Sequence, residues 1–126
     1  MSGNWSMAGL RPDQIRDAAT AEIGNLAEAL AAKLIVGHRG RVVARNVRVG
    51  SGELDILALI DGEKTVVEVR STRQGTGYVD PLIAFGHDKA RQVRRLAGKI
   101  GAGRVDLITV RFSDRGVDLH WLPRVG

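Results

Sequence analysis

The chain has 126 residues, a length typical of one compact domain. It has no cysteine, which excludes disulfides, thiolate zinc sites and a thiol nucleophile. Its 19 lysines and arginines outnumber its 14 acidic residues and give a net charge of +5. A basic domain suits a polyanionic partner such as nucleic acid, although a basic protein without such a partner has the same composition.

The hydropathy of the chain favours a cytoplasmic protein with no membrane partner. No apolar run approaches the ~20 residues that a membrane helix needs. The N-terminal segment MSGNWSMAGLRPD also lacks the long apolar stretch of a signal peptide.

The first half of the chain predicts a tail, a helix and three strands. Glycines and a proline punctuate residues 1–12, which indicates a flexible tail ahead of a single domain over residues 13–126. Asp13 is a capping residue for a helix that runs to about Val36 and ends at Gly37. A strand follows over residues 41–49, and a hairpin of two apolar strands occupies residues 51–70.

The second half predicts a helix and a last pair of strands. After a basic loop over residues 71–80, the pair Asp80-Pro81 is a helix-start signal, and Gly86 is expected to interrupt that helix. The segments RVDLITVRF and GVDLHWL read as two strands. The resulting fold class is α/β, in the order αβββαβ with an additional C-terminal strand.

The turn of the hairpin determines which side chains meet. Asp61-Gly62 between alternating strands favours a two-residue type I′ turn, which pairs Ile60 with Glu63. The same register places Asp55 opposite Glu68 and Glu53 opposite Arg70, with all four side chains on one face. The other face is a predicted core face, which consists of Leu54, Ile56, Ala58, Val67 and Val69.

Two interpretations of these acids follow from the spacing. Opposed like charges destabilise a sheet, so a hard divalent cation such as magnesium would offset the repulsion between Asp55 and Glu68. Alternatively, the acids lie on an exposed sheet face where Arg70 neutralises them. The spacing leaves both interpretations open.

Several motifs resemble a known family. The segments GNLAEALAAKL, GELDILA, VVEVRSTR, DKARQVRRLA and RVDLITV, together with Arg45-Asn46, occur in the order seen in the YraN-type family of small, uncharacterised bacterial proteins. That family is similar to the restriction-endonuclease-like (PD-(D/E)xK) superfamily, which includes archaeal Holliday junction resolvases. The resemblance implies a restriction-endonuclease-like core, with a central mixed sheet flanked by helices.

The resemblance also implies a catalytic set. Asp55 and Glu68 match the acids that hold magnesium or manganese in such nucleases, and Glu28 matches a glutamate from the first helix. Arg70 stands where the superfamily has a lysine; an arginine stays protonated and cannot act as a base, but it can clamp a phosphate. The alternatives are an ion pair of Arg70 with Glu53 and a solvent-facing Glu28.

Basic residues around the acids predict a phosphate-binding surface. Such a surface binds nucleic acid in a salt-sensitive and sequence-independent way. For each residue alone, the alternative is a solvated face. The predicted nucleic-acid-binding residues are Arg45, Arg70, Arg73, Lys89, Arg91, Arg94 and Arg95.

Together, the sequence and the resemblance predict a magnesium-dependent, endonuclease-like protein that binds DNA and, in an active version, cleaves it in a structure-selective, resolvase-like way. One alternative is a catalytically inactive nucleic-acid-binding module on the same fold. Another is a protein-interaction module. A homodimer is expected by resemblance to the resolvases.

Overall fold

The computed structural model describes residues 4–7, 20–73 and 81–125, which form one six-stranded sheet and two helices. The strands are β1 (Asn4–Met7), β2 (Arg41–Val49), β3 (Gly52–Ile60), β4 (Glu63–Arg73), β5 (Arg104–Ser113) and β6 (Gly116–Leu122), and the helices are α1 (Thr20–Gly37) and α2 (Pro81–Lys99). The strand order is β1-β6-β5-β4-β3-β2, with β4 and β5 parallel and every other pair antiparallel. The sheet is therefore mixed, as predicted.

The α/β fold class and the order αβββαβ with an additional C-terminal strand are confirmed. Helix α1 ends at Gly37, and α2 begins at Pro81, as the sequence predicts. Gly86 interrupts α2 with a non-helical backbone (φ 60°, ψ 173°) that glycine alone adopts readily. The predicted cap Asp13, the start of the first helix and most of the loop before α2 lie outside the described residues.

Strand β1 differs from the expected tail. Residues Asn4–Met7 pair with β6, from Asn4 opposite His120 to Met7 opposite Val117. This pairing covers backbone groups of β6 that an edge strand would leave open. The remaining tail residues, 1–3 and 8–12, lie outside the described residues.

The two faces of the sheet carry separate apolar clusters. One cluster lies under α1 and includes Ile56, Ala58, Val67 and Val69. The other lies under α2 and includes Leu54, with Leu57 and Val66 from the hairpin and Phe85, Val93 and Leu96 from the helix. The prediction that Leu54 shares a face with Ile56 is therefore wrong, because the alternation of β3 breaks between them.

Helix α1 packs on the sheet through a face that combines small side chains with the larger Ile23, Leu30 and Ile35. Ala27 and Ala31 are buried against the sheet, whereas Leu26 and Leu34 are only partly buried. Small side chains allow the helix to approach the strands closely. This packing of α1 also brings the side that carries Glu28 towards the sheet, where Glu28 is half-buried.

Hydropathy along the two helices gives no candidate membrane span. Among the described residues, neither α1 nor α2 combines the length and the apolar character needed to cross a bilayer.

Candidate functional site

Strands β3 and β4 separate where the two acids meet. Their pairing follows the predicted register from Ile60 opposite Glu63 to Ile56 opposite Val67. Beyond that point the carboxylates replace the backbone ladder: the amide of Asp55 donates to Oε2 of Glu68 at 2.9 Å. In return, the amide of Val69 donates to Oδ2 of Asp55, also at 2.9 Å. The two acids are thus adjacent, and each accepts a backbone hydrogen bond from the opposite strand.

Glu53 does not join them in the way the hairpin register predicts. It pairs with Arg48 of β2 in the sheet register, and Arg70 lies instead beside Asp55 and Glu68. The predicted pairing of Glu53 with Arg70 is therefore wrong. The physical reason is the break at Asp55, where hydrogen bonds to side chains end the regular pleat of the hairpin.

Glu68 is the most deeply buried acid of this group, with 1% of its side chain exposed. Two cations approach its Oε1 atom, Nη2 of Arg70 and Nζ of Lys89, each at 3.9 Å and therefore beyond hydrogen-bond distance. Burial, followed by the charge of Asp55, raises the pKa of Glu68 to about 7. The folded protein therefore disfavours the charged form of this carboxylate.

Asp55 is more accessible than its partner. Its side chain is 24% exposed, and its Oδ2 atom lies 3.7 Å from Nη1 of Arg70. Burial raises the pKa of Asp55 as well, against the opposing effects of the hydrogen bond from Val69 and the charge of Arg70. The pair thus presents one buried and one open carboxylate to the same gap.

Arg70 is held in place by groups other than the acids. Its Nη1 atom donates to the carbonyl oxygen of Val69 at 2.9 Å. Its guanidinium carbon lies 5.5 Å from the centre of the Phe85 ring, a cation–π distance. Because Phe85, a residue of α2, is itself buried in the cluster between that helix and the sheet, these contacts hold the guanidinium in place.

Lys89 reaches the acids from α2. It follows the break at Gly86, and its side chain is 35% exposed. From the sequence, Lys89 is predicted only as part of the phosphate-binding surface, because its separation from Glu68 along the chain hides their proximity.

Glu28 is brought to the edge of the site by Asn46, which the sequence analysis quotes only as part of a family motif. Asn46 has a positive φ of 54° and stands on β2. Its amide nitrogen, oriented to satisfy its neighbours, donates to Oε1 of Glu53 and to Oε1 of Glu28, both at 3.1 Å. Burial raises the pKa of Glu28, and the charge of Asp55 adds to that effect. The side-chain amide is thus a bridge between helix and sheet.

The other predicted basic residues lie around this centre. Arg45 is exposed on the edge strand β2, where its charge opposes the rise in the pKa of Glu28 that burial and Asp55 cause. Arg73 is half-buried at the end of β4. Arg91, Arg94 and Arg95 are exposed on α2, and Arg91 lies 4.0 Å from Asp88.

A second ionic cluster was missed by sequence reasoning. Arg104 and Asp106 of β5 are both buried and form a bidentate pair at 2.9 and 3.0 Å. Arg104 also contacts Glu63 at 3.1 Å, which ties the hairpin to β5. The sequence signal is an Arg-x-Asp pattern at the start of a largely apolar strand, which places both charges on one face.

The donor set at Asp55 and Glu68 fits a divalent cation of the magnesium type. Such ions commonly take one or two protein carboxylates and complete their coordination with water and phosphate oxygens. Within residues 20–73 and 81–125, no three acidic or histidine side chains converge into a metal site by themselves. The oxygens of water or substrate would have to supply the remaining ligands.

Comparison with known proteins identifies relatives of this chain. A UPF0102 protein from Streptomyces coelicolor is 37% identical over 108 residues, which cover 78% of this chain and 82% of the relative. A UPF0102 protein from Leifsonia xyli is 35% identical, and the match covers 82% of this chain and 95% of the relative. A UPF0102 protein from Mycobacterium avium is 41% identical, and the match covers 75% of this chain and 80% of the relative.

Among solved structures, the crystal structure of SSO0001 aligns with 89% of this chain at 15% identity and a TM-score of 0.43. The aligned region spans 55% of that protein, so this chain corresponds to about half of its length. A likeness of that size has no bearing on function.

The family model settles the identity of the chain. The model of the uncharacterised protein family UPF0102 matches residues 27–110, which include Glu28, Asp55, Glu68 and Asp106. The match and the relatives confirm the resemblance to the YraN-type family. The chain belongs to the UPF0102 family.

Proposed function

We propose that this protein binds DNA and cleaves it in a reaction that depends on magnesium or manganese, with a preference for branched structures. The observation that carries the proposal is the adjacency of Asp55 and Glu68 in a gap between two strands. Each acid is fixed by one backbone amide. The Oε1 atom of Glu68 lies 3.9 Å from both Arg70 and Lys89, which is beyond hydrogen-bond distance. Glu68 is costly to ionise there, and a divalent cation would offset that cost.

In this proposal Asp55 and Glu68 hold the metal ion. A bound ion there would activate a water and stabilise charge on the scissile phosphate. Arg70, fixed by Val69 and Phe85, presents its guanidinium beside the gap and clamps a phosphate oxygen. Glu28, held by Asn46, supports the acidic group from the side of α1.

The basic residues around the gap account for the choice of a nucleic acid. Arg45 lies on the edge strand, and Arg91, Arg94 and Arg95 lie exposed on α2. Phosphate contacts of this kind give affinity without sequence selectivity and fall off with salt. The preference for branched DNA and the expected homodimer rest on the resemblance to Holliday junction resolvases, which act as dimers on symmetric junctions.

The proposal is tested by incubating the purified protein with linear, branched and single-stranded DNA and RNA in manganese or magnesium. We expect cleavage of DNA, strongest on the branched form, and its loss in Asp55→Asn with binding retained. A well-folded wild-type protein that cleaves none of these substrates would rule out the enzyme.

A second candidate is a nucleic-acid-binding module without catalysis. The observation that favours it is Arg70, which stands in place of the lysine of the superfamily signature. Such a module would bind DNA with a salt-dependent affinity and leave it intact in either metal. A protein-interaction module would neither bind nor cleave.

A further inference from the structure

We infer that Lys89 of α2 supplies the amine that the superfamily signature places at position 70, and that it orients the attacking water beside Glu68. The inference rests on the proposed function, because it names the residue that completes the same centre. It assigns Lys89 a role at the reacting atoms in place of a contact with phosphate.

Arg70 is already held by contacts with Val69 and Phe85. One of its terminal nitrogens donates to the carbonyl of Val69 at 2.9 Å, and its guanidinium carbon lies 5.5 Å from the centre of the Phe85 ring. A guanidinium fixed in this way offers its remaining hydrogens in set directions. It is suited to clamping a phosphate and poorly suited to following a small water molecule during a reaction.

Lys89 and Arg70 approach the same carboxylate oxygen, Oε1 of Glu68. The Nζ atom of Lys89 and the Nη2 atom of Arg70 each lie 3.9 Å from Oε1 of Glu68. Arg70 comes from β4 and Lys89 from α2, so the oxygen is approached from two separate elements. The distance from Nζ exceeds a direct hydrogen bond, and a small donor or acceptor placed beside the two groups could contact both.

The backbone of α2 places Lys89 near Glu68. Gly86 breaks α2 with a φ of 60° and a ψ of 173°, and Lys89 lies three residues later, where the helix has resumed. Phe85, on the other side of the break, is buried against the same face of the sheet. The break therefore lets one short segment place both the ring that holds Arg70 and the amine that faces Glu68.

Chemistry distinguishes the two cations. A lysine ammonium is compact, has three hydrogens on a rotatable terminus and sits on a flexible stem. In hydrolysis of DNA, the water oxygen forms a bond to phosphorus while the bond from phosphorus to the leaving deoxyribose oxygen breaks; the water releases one proton to solvent and the leaving oxygen takes one up. Lys89 would donate one hydrogen to the attacking water and another to Oε1 of Glu68, which fixes the direction of attack.

The experiment compares Lys89→Met, Lys89→Arg and the double variant Arg70→Lys/Lys89→Met with wild type. Steady-state cleavage of branched DNA gives kcat and KM in manganese. Affinity for the same DNA is measured separately in EDTA over a series of salt concentrations. Lys99→Met, which removes an exposed lysine at the end of the same helix, is the matched control. Circular dichroism confirms that each variant is folded.

We expect Lys89→Met and Lys89→Arg each to lower kcat by about 100-fold or more, with metal-free affinity and its salt dependence close to wild type. The additional change Arg70→Lys in the double variant should raise kcat at least tenfold above that of Lys89→Met. Lys99→Met should behave as wild type.

Two outcomes would overturn the inference while leaving the proposed function in place. One is a Lys89→Arg variant that turns over at the wild-type rate. The other is a Lys89→Met variant that loses affinity, with a salt slope reduced by about one, and keeps its kcat, because that pattern belongs to a phosphate contact. A wild-type protein that binds DNA but does not cleave it would overturn both.

Discussion

Two acids of this sheet are equally buried and are treated in opposite ways. Asp106 of β5 is 0% exposed and Glu68 of β4 is 1% exposed. Asp106 accepts hydrogen bonds from Nε and Nη2 of Arg104 at 2.9 and 3.0 Å, from Nε1 of Trp121 at 2.8 Å and from the amide of Arg124 at 3.0 Å. Glu68 accepts one backbone hydrogen bond, and its nearest described cations lie at 3.9 Å.

The contrast separates a carboxylate with a full set of hydrogen bonds from one that has a single backbone hydrogen bond. The groups around Asp106 satisfy both of its oxygens and tie β5 to the hairpin and to the C-terminal segment through Arg104 and Arg124. Glu68 lacks such a set, and burial raises its pKa instead. A buried acid whose nearest cations lie beyond hydrogen-bond distance is therefore where an external cation has the most to contribute.

The largest effect is expected at Asp106. Asp106→Asn keeps the shape of the side chain but removes its charge, which leaves the buried guanidinium of Arg104 without its bidentate partner. We expect a loss of about 3 to 5 kcal/mol in the free energy of unfolding, measured by urea denaturation at pH 7. Arg104 keeps its contact with Glu63, which favours the lower end of that range.

Glu22→Gln is the control for Asp106→Asn, because Glu22 is an exposed acid in the first turn of α1. Its free energy of unfolding should lie within about 0.5 kcal/mol of wild type. If Asp106→Asn proves as stable as Glu22→Gln, the division between a structural and a ligand-binding acid is wrong.

At Glu68, removal of the charge is expected to raise the free energy of unfolding, the opposite of the effect at Asp106. Its pKa rises from 4.5 to about 7 on folding, so the folded protein holds a proton more tightly than the unfolded chain. The stability that this proton brings is complete below about pH 4.5 and is lost as the pH rises to about 7. Glu68→Gln should therefore raise the free energy of unfolding at pH 8 by on the order of 1 to 3 kcal/mol in metal-free buffer.

The pH dependence is the control within that experiment. At pH 4.5 wild type carries a protonated Glu68, so Glu68→Gln should have nearly the stability of wild type there. Denaturation of both proteins from pH 4.5 to 8 measures the difference. A variant that is less stable than wild type at pH 8 would show that the Glu68 carboxylate is stabilised as an anion.

The smallest effect is expected at Asn46. Asn46→Gly removes the amide that bridges Glu28 and Glu53 and keeps the positive φ of 54° accessible. Asn46→Ala removes the amide and also strains the backbone, so it should cost about 1 kcal/mol more than Asn46→Gly. Thermal denaturation of the pair separates the two contributions, and equal stabilities would show that the left-handed backbone is not strained by a side chain.

The sequence could predict the frame of the fold. Asp61-Gly62 has positive φ at both residues and sets the register as far as Ile56 opposite Val67. The helix boundaries at Gly37 and Pro81 and the break at Gly86 are likewise local signals that depend on one or two residues.

The site was only partly predictable, because its details depend on contacts distant in the chain. Local pairing rules place Glu53 opposite Arg70, but hydrogen bonds between Asp55 and β4 end the ladder before that pair is reached. Asn46 contacts an acid on a helix, and Asp106 contacts the distant Trp121. Neither contact has a local sign in the sequence, unlike the pair of Asp106 with Arg104 two residues before it.

Binding of manganese by calorimetry, at pH 8 and without DNA, tests most directly whether Asp55 and Glu68 form a cation site. Wild type should bind one ion per chain and gain thermal stability with it, whereas Asp55→Asn and Glu68→Gln should lose both effects while remaining folded. If all three proteins bind manganese equally, or if none does, the gap between β3 and β4 is not the metal centre proposed here.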